Sequence, residues 1–508
     1  MRRFLKNHWE VLILLTILLA GAFLRLYKIA DYMTFLGDEG RDVLVVKRMI
    51  VDHKFTLLGP TASVGGFFLG PIYYYFMLPF LFLWRLDPVG PAVMVALFGI
   101  ATIYLVYRVG KDFFHPAVGF VAASLYAFSP VAIAYSRSSW NPNLVPFFST
   151  LLVYHLWTLV TKKQKYTTFV IGIILGIGLQ LHYLFSFLGV VTLLWMVMHR
   201  RAFSIGRELM NLVGGFLIGY APFLAFELRH GFPNTQSIIK FLAAGSDTGV
   251  SGNFLTIITD VVYRLFGRLL YRLPQPEWWV RATPLAQLSW NIGIWTTLIG
   301  SLAAVFFTFK QKTLRVGTQL LLVWFVVIVT LFGFYQKNIY DYYFGVFFPV
   351  PFLLLGVLFW QVGKQKLIAG LVALVWAGIL WFNYLGNPFT YPPNRQLAQV
   401  QMIARAAYDK AEGKPFNFAL DANFNSDHAY RYFFEIWGNP PVTIQSFEAD
   451  PERKSVTDQL IIICEQPECH PLGHPLWEIA GFGRAEIAGS WKVSFITIYR
   501  LIRYRGEE

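Results

Sequence analysis

Residues 91–109 read PAVMVALFGIATIYLVYRV, with a single charge, at Arg108. Coiled as an α-helix at about 1.5 Å per residue, such a run is roughly 30 Å long, the thickness of a bilayer's hydrocarbon core. After a polar step at Lys111-Asp112 a second run follows at 116–135, PAVGFVAASLYAFSPVAIAY, with no charge. Two such runs in succession point to a polytopic α-helical membrane protein.

Working outward, comparable apolar runs lie near 9–29, 67–87, 141–160, 166–182, 184–199, 209–228, 287–309, 316–335, 342–360 and 366–385. With the first two they make about twelve candidate spans. The composition agrees. The 508 residues are 56% hydrophobic, 18% aromatic and 14% charged, against about 25% charged in a soluble domain. This much apolar surface excludes disorder. The first run follows Met1-Arg2-Arg3 and holds Ala20-Gly21-Ala22, which mimics a signal-peptidase site. Because apolar residues continue through Phe23, Leu24 and Leu26, it reads as an uncleaved helix.

The net charge is +14, from 43 basic against 29 acidic residues. The basic residues collect in short loops: Lys162-Lys163-Gln164-Lys165, His199-Arg200-Arg201, Lys310-Gln311-Lys312 and Lys364-Gln365-Lys366. The positive-inside rule puts these on the cytoplasmic side and accounts for the charge without nucleic acid as a partner. The stretches 136–143, 182–184, 229–286, 336–341 and everything after 386 then face outside. The N-terminal arginines belong inside, which puts 30–66 outside. Twelve spans do not satisfy both ends, so 11 or 13 crossings are expected, with the miscount among the first three runs: 67–87 is re-entrant, or one long run is split. The chain is thus expected in the cell membrane, multi-pass, with a cytoplasmic N-terminus. A transmembrane domain, 1–385, carries outer loops 30–66 and 229–286. A small extracytoplasmic α/β domain fills 386–508.

In the first outer loop, Gly37-Asp38-Glu39-Gly40-Arg41-Asp42 precedes an amphipathic stretch with Val43, Val46 and Ile50 on one side, expected as a short helix on the membrane surface. The second holds Glu277-Trp278-Trp279, an interfacial aromatic pair. Beyond 386 the chain turns polar, opening with Asn387-Pro388 and Pro392-Pro393. Its pattern predicts a helix near 396–411, a strand at 416–420, a helix near 428–437, a strand at 459–464 and strands across 491–503.

Acids are scarce near these spans, so Asp38 and Glu39 stand out. Asp38 reads either as the helix cap, where Asp is favoured, or as a general base near the outer surface. Arg41, one turn on, reads as the i,i+3 partner of Asp38 or as a bidentate phosphate contact. Further polar groups sit at outer span ends: Arg137, Asn141 and Asn143; His182 and Tyr183; Glu227, Arg229 and His230; Asp341, Tyr342 and Tyr343. Each alone is a solvated helix end or an aromatic anchor. Collected on one side, they are what a functional cavity at membrane depth would carry. No Walker loop, zinc-protease motif or Gly-x-Ser-x-Gly elbow occurs.

A first span, an outer loop opening Asp38-Glu39-Gly40-Arg41, then Gly70-Pro71-Ile72-Tyr73-Tyr74-Tyr75 and the Ser136-Arg137 loop form a series. It resembles the C-type (GT-C) membrane glycosyltransferases, with the bacterial aminoarabinose transferases and protein O-mannosyltransferases as the nearest in pattern. The resemblance covers about 1–385. It implies a polyprenyl-phosphate sugar as donor, a lipid, glycan or protein acceptor, and an inverting transfer to a hydroxyl on the outer face. It puts Asp38 at the catalytic acid's position, with Glu39 as its support or a metal contact. Arg41, Arg137 and Arg229 would contact phosphate; Tyr74, Asn141, His182, Tyr183, Glu227, His230, Asp341 and Tyr342 would line the site. Phe67-Phe68-Leu69 stands where aminoarabinose transferases have Glu-Lys, and Asp42 where a Tyr is usual. The sequence indicates no metal site, and a divalent cofactor stays open. A transporter or flippase is the alternative of another class, but its two-fold repeat is not visible here. An oligosaccharide polymerase or ligase would share the donor.

Cys464 and Cys469 fall in the domain expected outside, where oxidation is permitted. Pro467 favours a turn between them. Three readings stay open: a disulfide, two unrelated thiols, or a zinc site with His470 and His474.

Overall fold

The computed structural model describes residues 2–62, 65–162, 164–244, 253–279, 281–423 and 425–504. The chain divides into two compact units. The first takes Met1–Ile29, Phe55–Phe80 and Pro91–Pro392; the second takes Ala30–Lys54, Leu81–Gly90 and Pro393–Glu508.

Among the described residues six helices are long and apolar enough to cross a membrane: His8–Leu26, Val89–Phe113, Asn141–Thr161, Pro284–Phe309, Arg315–Phe332 and Lys366–Tyr384. The pair Ile205–Gly219 and Ala221–His230 makes a seventh candidate, bent by 77°. Shorter apolar helices cover Ile72–Leu83, Pro116–Phe128, Thr167–Leu181, Tyr183–Met198 and Pro349–Val362. The chain is a multi-pass membrane protein. Glycines set its closest seam: a Cβ on Gly176 would lie 2.7 Å from backbone atoms of Phe216 and Gly219, the small-residue approach that packs helices without a hydrophobic drive.

Several expected spans are broken for local reasons. Only Ile72–Leu83 of the run 67–87 is helical. Phe67 and Leu69 instead pair back on the preceding loop, with Ala62 N donating to Phe67 O at 2.8 Å and Leu69 N to Pro60 O at 2.8 Å. Pro71 forces the residue before it out of helical geometry. The same rule splits 116–135, where Ser129 is extended (ψ 119) before Pro130. Pro222, in the first turn of Ala221–His230, lies at the 77° bend. The stretch 229–286 is not simply a loop. It contains the helices Pro233–Ala244 and Phe254–Tyr271, and the latter buries Val261, Leu265, Phe266 and Leu269. The side chain of Glu277 lies outside the described residues; Trp278 is exposed.

In the second unit we label helices α1 (Gly37–Val51), α2 (Gln396–Lys410) and α3 (His428–Ile436), with strands β1 (Asn417–Asp421), β2 (Gln459–Cys464), β3 (Ala485–Val493) and β4 (Ile496–Arg503). The sheet order is β1-β2-β4-β3; β1 and β2 are parallel and the other pairs antiparallel. The central strand β2, Gln459-Leu460-Ile461-Ile462-Ile463-Cys464, is buried along its whole length, as a continuous apolar run requires. These elements follow the sequence pattern within a residue or two, except that β3 starts earlier, at Ala485.

The segment 30–66 departs from the bare surface helix expected of it. Its helix α1 is not a bare surface helix, because it packs on α3. A Cβ on Gly37 would lie 2.0 Å from Ser426 Oγ, and one on Gly40 2.3 Å from Ala429 Cα. Only glycine admits backbone this close. Val43 and Val46 are buried, with Ile50 partly so. Lys47 reaches Glu435 at 3.4 Å, and Arg48 pairs with the same carboxylate. Gly37 N donates to Asn425 Oδ1 at 3.0 Å, Phe35 N to Gln396 Oε1 at 3.2 Å, and Arg395 N to Asp31 O at 2.9 Å. Tyr432 Oη donates to Leu86 O.

Candidate active site

Asp38 sits in the first turn of α1, where the helix dipole favours a negative charge. It is not the cap. Leu36 occupies the N-cap position and has no side-chain acceptor; the Glu39 carboxylate accepts from Leu36 N at 3.1 Å instead. Glu39 is buried, and that burial pushes its pKa up to about 7 against the pull of the backbone N–H groups. The Asp38 side chain is 56% exposed and accepts from Arg41 Nη1 at 2.9 Å. The rest of the Arg41 fork goes to fully buried Asp42, with Nε and Nη2 at 2.9 and 2.8 Å from one oxygen. Arg41 is therefore bracketed by two carboxylates rather than presented to an anion.

The opposing end of α3 adds a group the sequence did not single out. His428 accepts or donates at Ser426 Oγ, 2.9 Å from its Nδ1, and lies 3.7 Å from Asp427. Burial holds its pKa below the ordinary histidine value, opposed by Asp427 and Asp38 and reinforced by Arg41 and Arg431. A partly buried, neutral imidazole beside an exposed carboxylate is proton-transfer chemistry. The signal was present in sequence only as Asp427-His428 opening a helix.

In the first unit most expected site residues are occupied in holding the fold. Arg137 is buried and donates to Leu24 O (2.8 Å), Tyr27 O (2.8 Å) and Lys28 O (3.1 Å) at the end of the first helix. Its guanidinium faces the Phe389 ring at 5.2 Å. Asn141 Nδ2 donates to Leu181 O at 2.7 Å. The Glu227 carboxylate is buried and takes four hydrogen bonds, from the backbone and side chains of Asn234 and Thr235, capping Pro233–Ala244. Arg229 and His230 are exposed, and His230 Nδ1 lies 2.9 Å from Phe226 O. Tyr74 is buried.

Other expected residues do gather. His182 stacks on Tyr183 at 4.6 Å between centroids and lies 5.9 Å from Tyr342 and 5.2 Å from Tyr343. Tyr183 Oη meets Tyr335 Oη at 3.0 Å. Asp341, next to Tyr342, binds Arg268 Nε at 2.6 Å and approaches Arg264 Nη1 at 3.6 Å. Arg264 also pairs with Asp260 at 2.9 Å. A cavity of about 780 Å³ opens beside them, lined by Arg264, Lys337, Asp260, Asp341, Tyr135 and Tyr340. The lining balances two cations, Arg264 and Lys337, against two carboxylates, Asp260 and Asp341; Arg268, paired with Asp341, adds a third cation outside the lining. Arg264 and Arg268 went unnoticed in sequence because they lie in the stretch taken as loop; Asp260, Arg264 and Arg268, four apart in an otherwise apolar helix, were the signal.

A disulfide joins Cys464 and Cys469. Among the described residues the cluster with metal-ligand chemistry is Asp421 with these two sulfurs, and the disulfide consumes both thiolates.

The family model for dolichyl-phosphate-mannose-protein mannosyltransferase matches residues 70–226. No curated protein matches the chain in sequence. Among solved structures, ArnT from Cupriavidus metallidurans bound to undecaprenyl phosphate superposes with a TM-score of 0.64 at 12% identity, over 97% of this chain and 98% of that one. Its apo form gives 0.63 at the same identity and coverage. The fold is ArnT-like, of the GT-C type. The archaeal oligosaccharyltransferase from Archaeoglobus fulgidus also matches, at a TM-score of 0.48 and 13% identity, over 90% of this chain and 69% of that one. The GT-C fold accounts for what the sequence pattern anticipated: many apolar spans and a small C-terminal sheet domain.

Proposed function

We propose that this protein transfers a sugar from a polyprenyl-phosphate donor to an acceptor hydroxyl on the outer face of the membrane, with Asp38 as the general base. The observation that carries the reading is Asp38 itself: an exposed carboxylate at the start of a rigidly docked helix, on a GT-C fold whose bound form in C. metallidurans ArnT holds undecaprenyl phosphate. The donor already has a good leaving group. Asp38 takes the acceptor's proton, the freed oxygen attacks the anomeric carbon, and the carbon–oxygen bond to phosphate breaks with inversion. The electron pair leaves on the lipid phosphate. Cations stabilise that charge by preorganised electrostatics. Buried Arg137, whose guanidinium caps a helix end, is already spent on the fold. His428 is near enough to Asp38 to feel its charge. The acceptor is a lipid, glycan or protein hydroxyl.

The test is complementation. Cells lacking the gene receive wild type or Asp38→Asn, and their envelope lipids and glycans are compared by mass spectrometry. Consumption of polyprenyl-phosphate sugar by their membranes is followed in parallel. The asparagine chain should lose ~10²–10⁴ of the rate, the worth of a general base; a rate within about threefold overturns the role.

The loop charges support an outside location for residues beyond 386. A tag at the C-terminus should react with a membrane-impermeant reagent on intact cells. Labelling only after lysis would reverse the orientation.

A further inference from the structure

The second unit contains a cavity of about 350 Å³ whose floor and walls are built by α2, α3 and the segment after β2, with Leu36, the N-cap of α1, on its rim. Five carboxamides line it: Gln396, Gln399, Asn423, Asn425 and Gln466. They are joined by Glu465 and Tyr430, and by Phe495, which is 62% exposed in the β3–β4 hairpin. No lysine or arginine is among the lining residues.

We infer that this cavity is the binding subsite for a neutral, hydroxyl-rich acceptor, a short glycan; the assignment deepens the transferase reading and rests on it for the word acceptor. Three observations converge. The first is chemistry. Planar amides and a carboxylate offer paired donors and acceptors at fixed spacing, matching the vicinal hydroxyls of a sugar ring. An exposed aromatic face covers the ring's apolar C–H side. One anionic and no cationic side chain on the lining disfavours phosphate or a carboxylate ligand. The volume lies at the small end of the ~300–1,000 Å³ range of ligand sites.

The second is preorganisation. Glu465 Oε1 accepts from Tyr430 Oη at 2.6 Å and from Asn425 Nδ2 at 3.1 Å. Asn423 Nδ2 donates to Gln466 Oε1 at 2.9 Å. Those bonds fix part of the set and leave the rest: among the described residues the Gln396 and Gln466 amide nitrogens and the whole Gln399 amide carry no hydrogen bond. The Cys464–Cys469 disulfide closes the short loop that presents Glu465 and Gln466, and Glu465 N donates to Asp421 O at 2.9 Å. A crosslink that tight beside a polar cavity holds the two side chains in place before ligand arrives.

The third is position. Asn425 bridges the cavity to the catalytic helix, since its Oδ1 also accepts from Gly37 N, one residue before Asp38. A glycan seated here is presented within the same unit as the proposed base.

Ligand-observed saturation-transfer NMR on the full chain in detergent, without donor, tests this. The probes are neutral oligosaccharides of glucose, of mannose and of N-acetylglucosamine, with a Ser/Thr-rich peptide and inorganic phosphate as comparators. At least one oligosaccharide should bind wild type, and its affinity should fall at least tenfold in Gln466→Ala/Phe495→Ala. Gln399→Ala, at a half-buried position whose amide, among the described residues, carries no hydrogen bond of the fold, should weaken it several-fold at an unchanged melting temperature, which separates binding from folding. No oligosaccharide binding, or equal affinity in both variants, overturns the proposal. So does a peptide that binds in place of every sugar. Because the donor is absent, the result is independent of whether Asp38 is a base: sugar binding with full activity in Asp38→Asn would sink the mechanism and leave the subsite standing.

Discussion

Arg137 of the first unit and Arg41 of the second carry the same guanidinium and keep opposite company. Arg137 is buried among three backbone carbonyls at a helix end; Arg41 lies between two carboxylates, one of them open to solvent. Glu227 and Asp38 repeat the contrast, one wrapped in four hydrogen bonds and the other held by an ion pair at an exposed surface. The difference follows from the solvent. Where spans end or bend in lipid, the last carbonyls and first N–H groups find no water and must be satisfied from within the protein. Polar side chains at such ends are therefore caps before they are anything else. The second unit leaves the Asp38 carboxylate largely unemployed by the fold.

The sharpest way to break this contrast is Arg137→Met. If Arg137 served a ligand, the variant would fold normally and lose only activity. As a cap, its removal orphans three carbonyls at about 1–3 kcal/mol each. The expected result is a loss of at least ~3 kcal/mol of stability, seen as poor yield and a lower melting temperature in detergent. Gly40→Ala probes the docking of α1 next. The added methyl meets backbone of α3 with no flexible neighbour to give way, so overpacking should cost ~1–3 kcal/mol. A neutral substitution would mean the two helices do not hold each other this closely.

Much of this was legible in the chain and some was not, for physical reasons. The spans follow from length and apolarity, and the α/β pattern of 396–503 follows from periodicity, because both are local. Ser129-Pro130 and Pro222 mark the breaks and were visible as prolines. The pairing of α1 with α3 joins residues nearly four hundred positions apart and leaves no local trace. Its one sign is the spacing of Gly37 and Gly40, which put two residues without side chains on one helix face. Sequence also cannot tell a capping arginine from a ligand-binding one, since both sit beside the end of a span; Arg137 and Arg229 looked alike, and one is buried while the other is exposed.

Glu39 gives a smaller, signed effect. Its pKa in the folded chain is about 7, above the ordinary value near 4.5. Between those two values the unfolded chain gives up this proton while the folded chain keeps it, so the unfolded state gains and stability falls as pH rises; above about 7 both are ionised and the loss is complete. The contribution is on the order of 1–3 kcal/mol. In Glu39→Gln that fall between pH 5 and 8 should vanish from the melting curves, leaving other groups' slopes unchanged. An identical slope in both proteins would place Glu39 outside the titrating set.

Asp38 closes the series because its two effects separate furthest. Among the described residues its side chain is held by the pair with Arg41, at an exposed i,i+3 position, and such pairs contribute about 0.2–1 kcal/mol in water. Arg41 keeps Asp42 when Asp38 is neutralised, so no buried charge is stranded. Asp38→Asn should thus melt within about a degree or two of wild type, since ~1 kcal/mol moves a large chain's midpoint by only ~2–4 °C. Against that small change stands the ~10²–10⁴-fold loss of transfer expected of a missing base. Arg137→Met should show the reverse ratio, with stability lost first and activity falling only as folded protein does. If instead Asp38→Asn melts several degrees lower and its activity tracks the folded fraction, the carboxylate belongs to the fold like Glu227, and the base must be sought elsewhere on the molecule.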